Sequence, residues 1–247
     1  MKLPLYCMQC LQVHMGGPNS DQPPDLGPHL AVLQNDGLYR FTCRAGHEMA
    51  VLLQAEKFEM LFELGMNAML DGYPRDAIGS FAASLERFYE FYIQVIASHR
   101  SIDKQAFDAS WKKIAKQSER QLGAFILMYT METNRTPSLL TSSQIEFRNE
   151  VVHKGRIPTK EETIEFGKTV LDLISPVMHE LKTRHAEALQ KVLLEHSMSV
   201  RMQSEKRERV ATMAYPTIIG IIRAATEPDR TVEEWLIFLS NRRSHGF

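Results

Sequence analysis

The sequence lacks features that several classes of protein require. Its 247 residues include only three cysteines and two tryptophans, and 29 basic side chains face 30 acidic ones, for a net charge of −1. So few cysteines do not indicate the disulfide framework of a small secreted domain. Because the charges balance, there is no global basic field, and a nucleic-acid partner would have to bind at a local patch.

Long apolar runs and nucleotide-binding loops are also missing. No stretch approaches the roughly 18 apolar residues of a membrane span. The first residues, "MKLPLYCMQC", contain one lysine and no apolar run of signal-peptide length. The chain has no Walker-type loop, no GxGxxG and no serine nucleophile elbow. We therefore expect a cytoplasmic protein without a membrane partner.

The pattern of the chain changes near residue 50. Before it, "HLAVLQ" and "LYRFTC" flank "NDG", which predicts a β-hairpin. After it, apolar residues recur at steps of three and four, which predicts helices. The expected fold class is mostly α, with a small β-rich module at 1–50, a helical bundle at 51–212 and a C-terminal helical extension at 213–247.

Local signals predict where several helices begin and end. Thr159 and Thr231 are each followed three residues later by glutamate, the pattern of a capping box at a helix start. The helical pattern after Thr159 continues to about residue 210, and Pro176 within it predicts a kink or a break. The mixed-charge run 201–209 is expected to be a solvated helix face rather than an RNA contact.

Burial can also be predicted for some aromatic and histidine residues. Aromatic side chains at helical spacing are expected in the core; these are Trp111, Phe125 and Tyr129. Histidines on the long helix lack ligand spacing to one another, and we expect them at the surface; these are His179, His185 and His196.

The three cysteines and one histidine predict a metal site. Cys7 and Cys10 are separated by two residues, and Cys43 and His47 by three, both in turn contexts. Zn²⁺ prefers four nitrogen or sulfur ligands in a tetrahedron, and a complete set of four makes the ion structural. In this zinc-ribbon arrangement, a hairpin at 30–43 would place the second pair beside the first. The alternative is three unpaired thiols and a surface histidine.

The stretch "FRNEVVHKG" carries a second candidate site. Each helical residue advances about 100°, so Asn149 and His153 are about 40° apart, while Arg148 and His153 are about 140° apart. Histidine can move a proton to or from a ribose oxygen, and arginine can hold a phosphate through two parallel hydrogen bonds. Asn149 could orient either group. The alternative is a solvated polar end of a helix, marked by Gly155.

With its flanks, "FRNEVVHKGRIPTKEETIEFGKTVLDLI" resembles the signature of the HEPN superfamily of helical-bundle domains. Arg148, Asn149 and His153 match the family's motif of arginine, a polar residue and a later histidine. The segment "GYPRDAIGSFAASLERFYEFYI" is similar to an earlier helix pair of the family, and Glu86 loosely matches its central acidic residue. The resemblance covers roughly residues 56–178.

The resemblance implies a HEPN-like bundle that acts as a metal-independent endoribonuclease on RNA. Many members are homodimers that form one composite site, with Arg148, Asn149 and His153 as catalytic residues and Glu86 as a supporting one. Members serve as toxins, phage-defence effectors or RNA-processing factors, some with a regulatory protein partner. Gly155 stands where some toxins carry a tyrosine that a partner enzyme modifies, so this control is not expected. Other members bind RNA, nucleotides or proteins without cleavage, which is the alternative function.

Overall fold

Two small β-sheets form the N-terminal part of the chain. The computed structural model describes residues 1–16, 23–202, 210–221 and 230–244. Strand β1 (Lys2–Leu5) pairs antiparallel with β2 (His29–Val32), and helix α1 (Met8–His14) lies between them in sequence. In the second sheet, β3 (Leu38–Thr42) is antiparallel to β4 (Glu48–Gln54), and β5 (Val210–Ala214) pairs with β4 in parallel.

The predicted hairpin across "NDG" is wrong, although both of its strands exist. β2 pairs with β1, and β3 pairs with β4, so the turn at Gly37 connects two different sheets. The physical reason is the strand "EMAVLLQ", in which the five central residues, 49–53, are all buried. A continuous apolar strand is most stable in the centre of a sheet. β3 therefore pairs with β4 and not with the half-exposed β2.

The chain forms two compact units. One comprises Met1–Ala55 with Leu193–Tyr215, and the other comprises Glu56–Val192 with Pro216–Gly246. These units differ from the three consecutive segments expected from the sequence, because β5 is recruited to β4 from more than 150 residues away. Most of the mixed-charge run, residues 203–209, lies outside the described residues.

Helices make up most of the rest of the described chain, and the predicted class of a mostly α protein with a small separate β region is confirmed. After the N-terminal sheets the helices are α2 (Lys57–Leu70), α3 (Pro74–His99), α4 (Lys104–Ile114), α5 (Ser118–Thr133), α6 (Ser142–His153), α7 (Lys160–Arg184), α8 (Ala186–Arg201) and α9 (Val232–Ser244). None of the helices within the described ranges has the length and apolar character needed to cross a membrane.

The predicted capping boxes are confirmed. The backbone N–H of Glu162 donates to the hydroxyl of Thr159, and the Glu162 carboxylate accepts from the Thr159 N–H. Thr231 and Glu234 make the same reciprocal pair at the start of α9. Each pair satisfies backbone donors that a helix start leaves without intrahelical partners.

Of the two outcomes expected at Pro176, a kink or a break, the break does not occur. Helix α7 runs without interruption from Lys160 to Arg184, and the chain leaves it at His185. The turns around Pro176 bury Ile174 and Val177 against the bundle, which stabilises the helix despite the lost hydrogen bond.

Two of the three aromatic residues expected in the core are there. Phe125 and Tyr129 are buried, and their rings pack against Tyr92 of α3. The expectation for Trp111 is wrong, because this residue is only partly buried. Helix α4 has no buried residue, and the Trp111 ring stacks on Phe107 of the same helix.

The centre of the helical unit is a phenylalanine ring held between two glycines. Phe81 of α3 is fully buried. A Cβ added at Gly65 of α2 would lie 2.6 Å from Cε1 of this ring, and one at Gly167 of α7 would lie 3.0 Å from Cε2. The absence of side chains at these two positions lets the ring lie directly on the backbones of α2 and α7. The position of α3 in the bundle follows from this contact.

Buried carboxylates fix a second part of the helical unit. Glu59 of α2 accepts hydrogen bonds from the Thr217 hydroxyl and from the Ile221 N–H at 2.9 Å, and Glu63 accepts one from the Ile218 N–H at 2.8 Å. Burial raises the pKa of Glu59, while its hydrogen bonds from Thr217 and Ile221 act in the opposite direction. The segment after β5 is thereby hydrogen-bonded to α2.

We predict that Gly65→Ala destabilises the protein and that Gly123→Ala does not. The new methyl group at Gly65 would overlap a ring that is also confined by Gly167, and overpacking costs about 1–3 kcal/mol, more than the ~1 kcal/mol gained from helix propensity. Gly123 is also helical but has open space at its Cβ position, so its substitution should stabilise the protein. Urea unfolding of both variants measures the difference. Equal stability of the two variants would show that the ring is not confined.

Candidate functional sites

The three cysteines and His47 meet at one point in the N-terminal unit. Cys10 Sγ lies 3.8 Å from Cys43 Sγ and 3.3 Å from His47 Nδ1. His47 Nδ1 is also 3.6 Å from Cys7 Sγ and 3.5 Å from Cys43 Sγ. The three thiols are buried and form no disulfide. These four side chains could hold a metal ion.

Two short turns position these ligands. Cys7 immediately precedes α1, and its carbonyl accepts the N–H of Leu11, so that Cys10 lies one turn further on the same side. Cys43 and His47 flank the turn between β3 and β4, where the Cys43 N–H donates to the His47 carbonyl at 3.0 Å. Gly46 adopts a φ of +80° in this turn, a conformation that glycine takes without strain. The β3–β4 hairpin therefore brings in the second pair, rather than a hairpin at 30–43.

The thiols differ in their electrostatic environment. Burial raises the pKa of the Cys7 thiol to about 11, and the neighbouring Cys10 and Cys43 thiols add to this effect. For Cys43, burial acts to raise the pKa, but hydrogen bonds from the backbone of His47 and Ala45 and from the other two thiols lower it overall. Backbone donors of this kind also stabilise a thiolate that binds a metal.

The polar motif of the second candidate site lies at the end of α6. His153 is the last helical residue, and Gly155 follows with a φ of +77°. This turn lets the N–H of Arg156 donate to the carbonyl of Glu150 at 3.1 Å. The Arg156 guanidinium also pairs with the carboxylates of Glu150 and Glu162, which joins the end of α6 to the start of α7. The helix end is therefore held by specific contacts.

Arg75 of α3 also contacts this end of α6. It lies in the first turn of α3, and its Nε donates to the carbonyl of Val151 at 3.3 Å. Its Nη2 donates to the carbonyl of Val152 at 3.4 Å. The last carbonyls of a helix have no intrahelical partner, and a cation at this end is favoured by the helix dipole. Arg75 thus aligns α6 with α3.

One cavity collects all four residues that the sequence singled out for this site. It has a volume of about 890 Å³ and is lined by residues from α3, α5, α6 and the segment before α6, among them Glu86, Arg148, Asn149 and His153. Because the cavity extends along α6, side chains about 140° apart on an ideal helix can both border it. Asn149 and Arg148 are half-buried, whereas His153 is exposed.

Arg148 has unused hydrogen-bonding capacity in this cavity. Its Nη2 lies 3.8 Å from Glu86 Oε1, which is an ion pair but too long for a hydrogen bond. Its Nε is buried and has no hydrogen-bond partner among the described residues. Buried donors are rarely left in this state, and a guanidinium edge with free N–H groups matches two oxygens of a phosphate or carboxylate.

Other residues of the cavity were not identified from the sequence. Tyr89 borders it one helical turn after Glu86. Gln121 of α5 and Lys154, the residue after His153, border it as well. Burial raises the pKa of Tyr89, with a further contribution from Glu86, so its phenol stays a neutral hydrogen-bond donor. The three-residue spacing of Glu86 and Tyr89 was a usable signal, whereas Gln121 is brought in only by the packing of α5 against α3.

Comparisons with known proteins do not identify a family for this chain. No protein-family model matches it, and neither the search of curated proteins nor the search of solved structures finds a match. The likeness to HEPN domains therefore remains a prediction from the quoted motifs.

Proposed function

We propose that the protein is a metal-independent endoribonuclease of the HEPN type whose site is the cavity bordered by Glu86, Arg148, Asn149 and His153. The observation that carries the proposal is the buried Arg148 Nε, which has no hydrogen-bond partner among the described residues and lies at a cavity that His153 also lines. An arginine with free donors and a histidine can together supply the charge stabilisation and the proton transfer in the cleavage of a phosphodiester by an internal hydroxyl.

In the proposed reaction the ribose 2′-hydroxyl attacks the adjacent phosphorus, and the 5′-oxygen of the next nucleotide leaves. His153 takes the proton from the 2′-hydroxyl, and the leaving 5′-oxygen receives a proton from the imidazolium so formed or from the second His153 of the homodimer. Arg148 donates to the phosphate oxygens and stabilises the charge that develops on them. Asn149 orients the histidine or binds a phosphate oxygen. Glu86, 3.8 Å from Arg148, keeps the guanidinium directed along the cavity. The products are a 2′,3′-cyclic phosphate and a 5′-hydroxyl.

A homodimer is part of the proposal. Two exposed residues of α6 line the cavity. They are His153 and Ile145, and 39% of the surface of Ile145 is exposed to solvent. A second copy placed against these residues would remove apolar surface from water and bring a second Arg148 and His153 to the same RNA strand. Such a composite site would also enclose the reacting phosphate, where hydrogen bonds to it are stronger than in water.

We predict that the protein cleaves single-stranded RNA in EDTA and that Arg148→Ala and His153→Ala reduce the rate by about 100-fold or more, since each removes a group used in the transition state. Gel analysis of end-labelled RNA measures the rate. An oligonucleotide with a single ribose among deoxyriboses should be cut only after that ribose. The zinc content after the EDTA incubation should be measured in parallel, so that lost activity is not confused with a lost structural ion.

His179→Ala is the matched control for the histidine variant. His179 is an exposed histidine on α7 and does not line the cavity, so this substitution should leave cleavage unchanged. Equal cleavage by wild type, Arg148→Ala and His153→Ala would reject the assignment.

A binding module without cleavage is the second candidate, because an unpaired guanidinium edge serves phosphate binding as well as catalysis. It predicts RNA or nucleotide binding that Arg148→Ala weakens, with no products from the wild type at any enzyme concentration. Fluorescence anisotropy with the same oligonucleotides separates the two functions.

The ion proposed for the cysteine cluster is a structural Zn²⁺. Bond lengths of about 2.3 Å to sulfur and 2.0 Å to nitrogen in a tetrahedron separate two sulfurs by about 3.8 Å, and a sulfur from a nitrogen by about 3.5 Å. The Cys10–Cys43 distance is 3.8 Å, and the distances from His47 Nδ1 to the sulfurs are 3.3–3.6 Å. Cys7, Cys10, Cys43 and His47 would hold the ion in a small module, a size at which a metal commonly supplements the apolar core.

We predict that Cys43→Ser binds one equivalent of zinc fewer than the wild type and loses the β3–β4 hairpin, since three remaining ligands cannot close the tetrahedron. Elemental analysis by mass spectrometry gives the metal count, and hydrogen exchange reports the hairpin. His14→Ala serves as the control, because His14 is exposed at the end of α1 and belongs to no ligand cluster among the residues that the structure describes. An unchanged zinc content in Cys43→Ser would contradict the assignment.

A further inference from the structure

Three helix ends bring two histidines and a glutamate together in the helical unit. His99 is the last residue of α3, Glu132 lies in the last turn of α5, and His185 follows the last residue of α7. The expectation that His185 lies at the surface is wrong, because only 7% of its side chain is exposed. The spacing of histidines along one helix gave no sign of this cluster, since its members come from three different helices.

The distances within the cluster suit a shared ion better than direct hydrogen bonds. His99 Nε2 and His185 Nε2 each lie 3.7 Å from the same atom, Glu132 Oε1. Hydrogen bonds between such atoms are about 2.7–3.2 Å long. Ligand atoms about 2.0–2.1 Å from a tetrahedral ion are about 3.3–3.4 Å apart, so side-chain shifts of a few tenths of an ångström would complete the geometry.

Within the described part of the chain, no hydrogen bond accounts for the position of the buried His185 ring. Its Nδ1 is buried and has no partner among the described residues, and its Nε2 is beyond hydrogen-bond distance of Glu132. Burial lowers the pKa of His185, and the nearby His99 lowers it further. A buried polar side chain that lacks a hydrogen bond and lies beside two other potential metal ligands, His99 and Glu132, indicates a bound group.

The surroundings of Glu132 are also those of a ligand. Its other oxygen, Oε2, accepts from Arg100 Nε at 2.9 Å and forms an ion pair with Arg100 Nη2 at 2.7 Å, which fixes the carboxylate with Oε1 towards the histidines. Metal-binding carboxylates are commonly held in this way by an outer partner. Three helix C-termini point their partial negative charge at the cluster, which favours a cation. Two further guanidinium groups, of Arg135 and Arg184, are paired with Glu180.

We propose that His99, Glu132 and His185 form a second metal site, which takes a divalent transition-metal ion such as Zn²⁺ and joins the ends of α3, α5 and α7. Nitrogen and carboxylate ligands are typical of Zn²⁺, and three protein ligands leave one position for water or another exogenous ligand. None of the three residues lines the cavity of the proposed ribonuclease, so the site stands apart from that function.

The test is a Co²⁺ titration of the full-length protein after removal of bound metal. Thiolate-to-cobalt charge-transfer bands report only the cysteine cluster, whereas the visible bands report both sites. We expect two equivalents to bind to the wild type, the second without any charge-transfer band. His99→Ala and Glu132→Gln should bind one equivalent, with the charge-transfer band intact. Binding of a single equivalent by the wild type would overturn the proposal.

His99→Ala is the informative variant because the His99 side chain is 40% exposed, so its loss leaves little empty space in the core. His179→Ala is the matched control and should still bind two equivalents. As a second measurement, Zn²⁺ beyond one equivalent should raise the melting temperature of the wild type and of His179→Ala, but not that of His99→Ala. Identical metal counts and melting shifts in His99→Ala and the wild type would also reject the site.

Discussion

The contact of Phe81 with the backbones at Gly65 and Gly167 is the constraint on which the helical unit depends. A ring can lie this close to two helices only where neither has a side chain, so the position of α3 relative to α2 and α7 is set by three residues. Helix α3 then carries Glu86 to the cavity, five residues after Phe81, and ends in His99 at the second cluster. One rigid helix thus supplies a residue to both candidate sites of this unit.

The candidate sites differ in how they are built. In the cysteine cluster, each pair of ligands belongs to one tight turn, and pairing of β3 with β4 forms the turn of the second pair. In the cavity, Arg148, Asn149 and His153 come from one helix end, but Glu86 and the walls come from other helices. This arrangement places a guanidinium and a histidine in a local patch of a chain whose net charge is only −1. A local patch of this kind is what an anionic substrate would need here.

Each candidate site of the helical unit contains a buried nitrogen atom that lacks a hydrogen-bond partner among the described residues. Arg148 Nε and His185 Nδ1 are buried nitrogens without a hydrogen-bond partner in the described part of the chain. Leaving such a group unpaired costs about 1–3 kcal/mol, and a bound ligand at either proposed site would remove this cost. By contrast, the Glu59 carboxylate is surrounded by donors from Thr217, Ile221 and Glu56, which is typical of a structural role.

The sequence by itself determined the features that depend on neighbouring residues. The mostly helical class, the caps at Thr159 and Thr231 and the end of α6 shortly before Gly155 follow from helix periodicity, side-chain hydrogen bonds and backbone conformation, which act over a few residues. Only the tertiary structure decided that β2 pairs with β1, that α7 continues through Pro176, and that His185 is buried beside His99 and Glu132. These outcomes depend on which distant segment buries most apolar surface or satisfies most polar groups, and that competition has no signature within a local stretch of sequence.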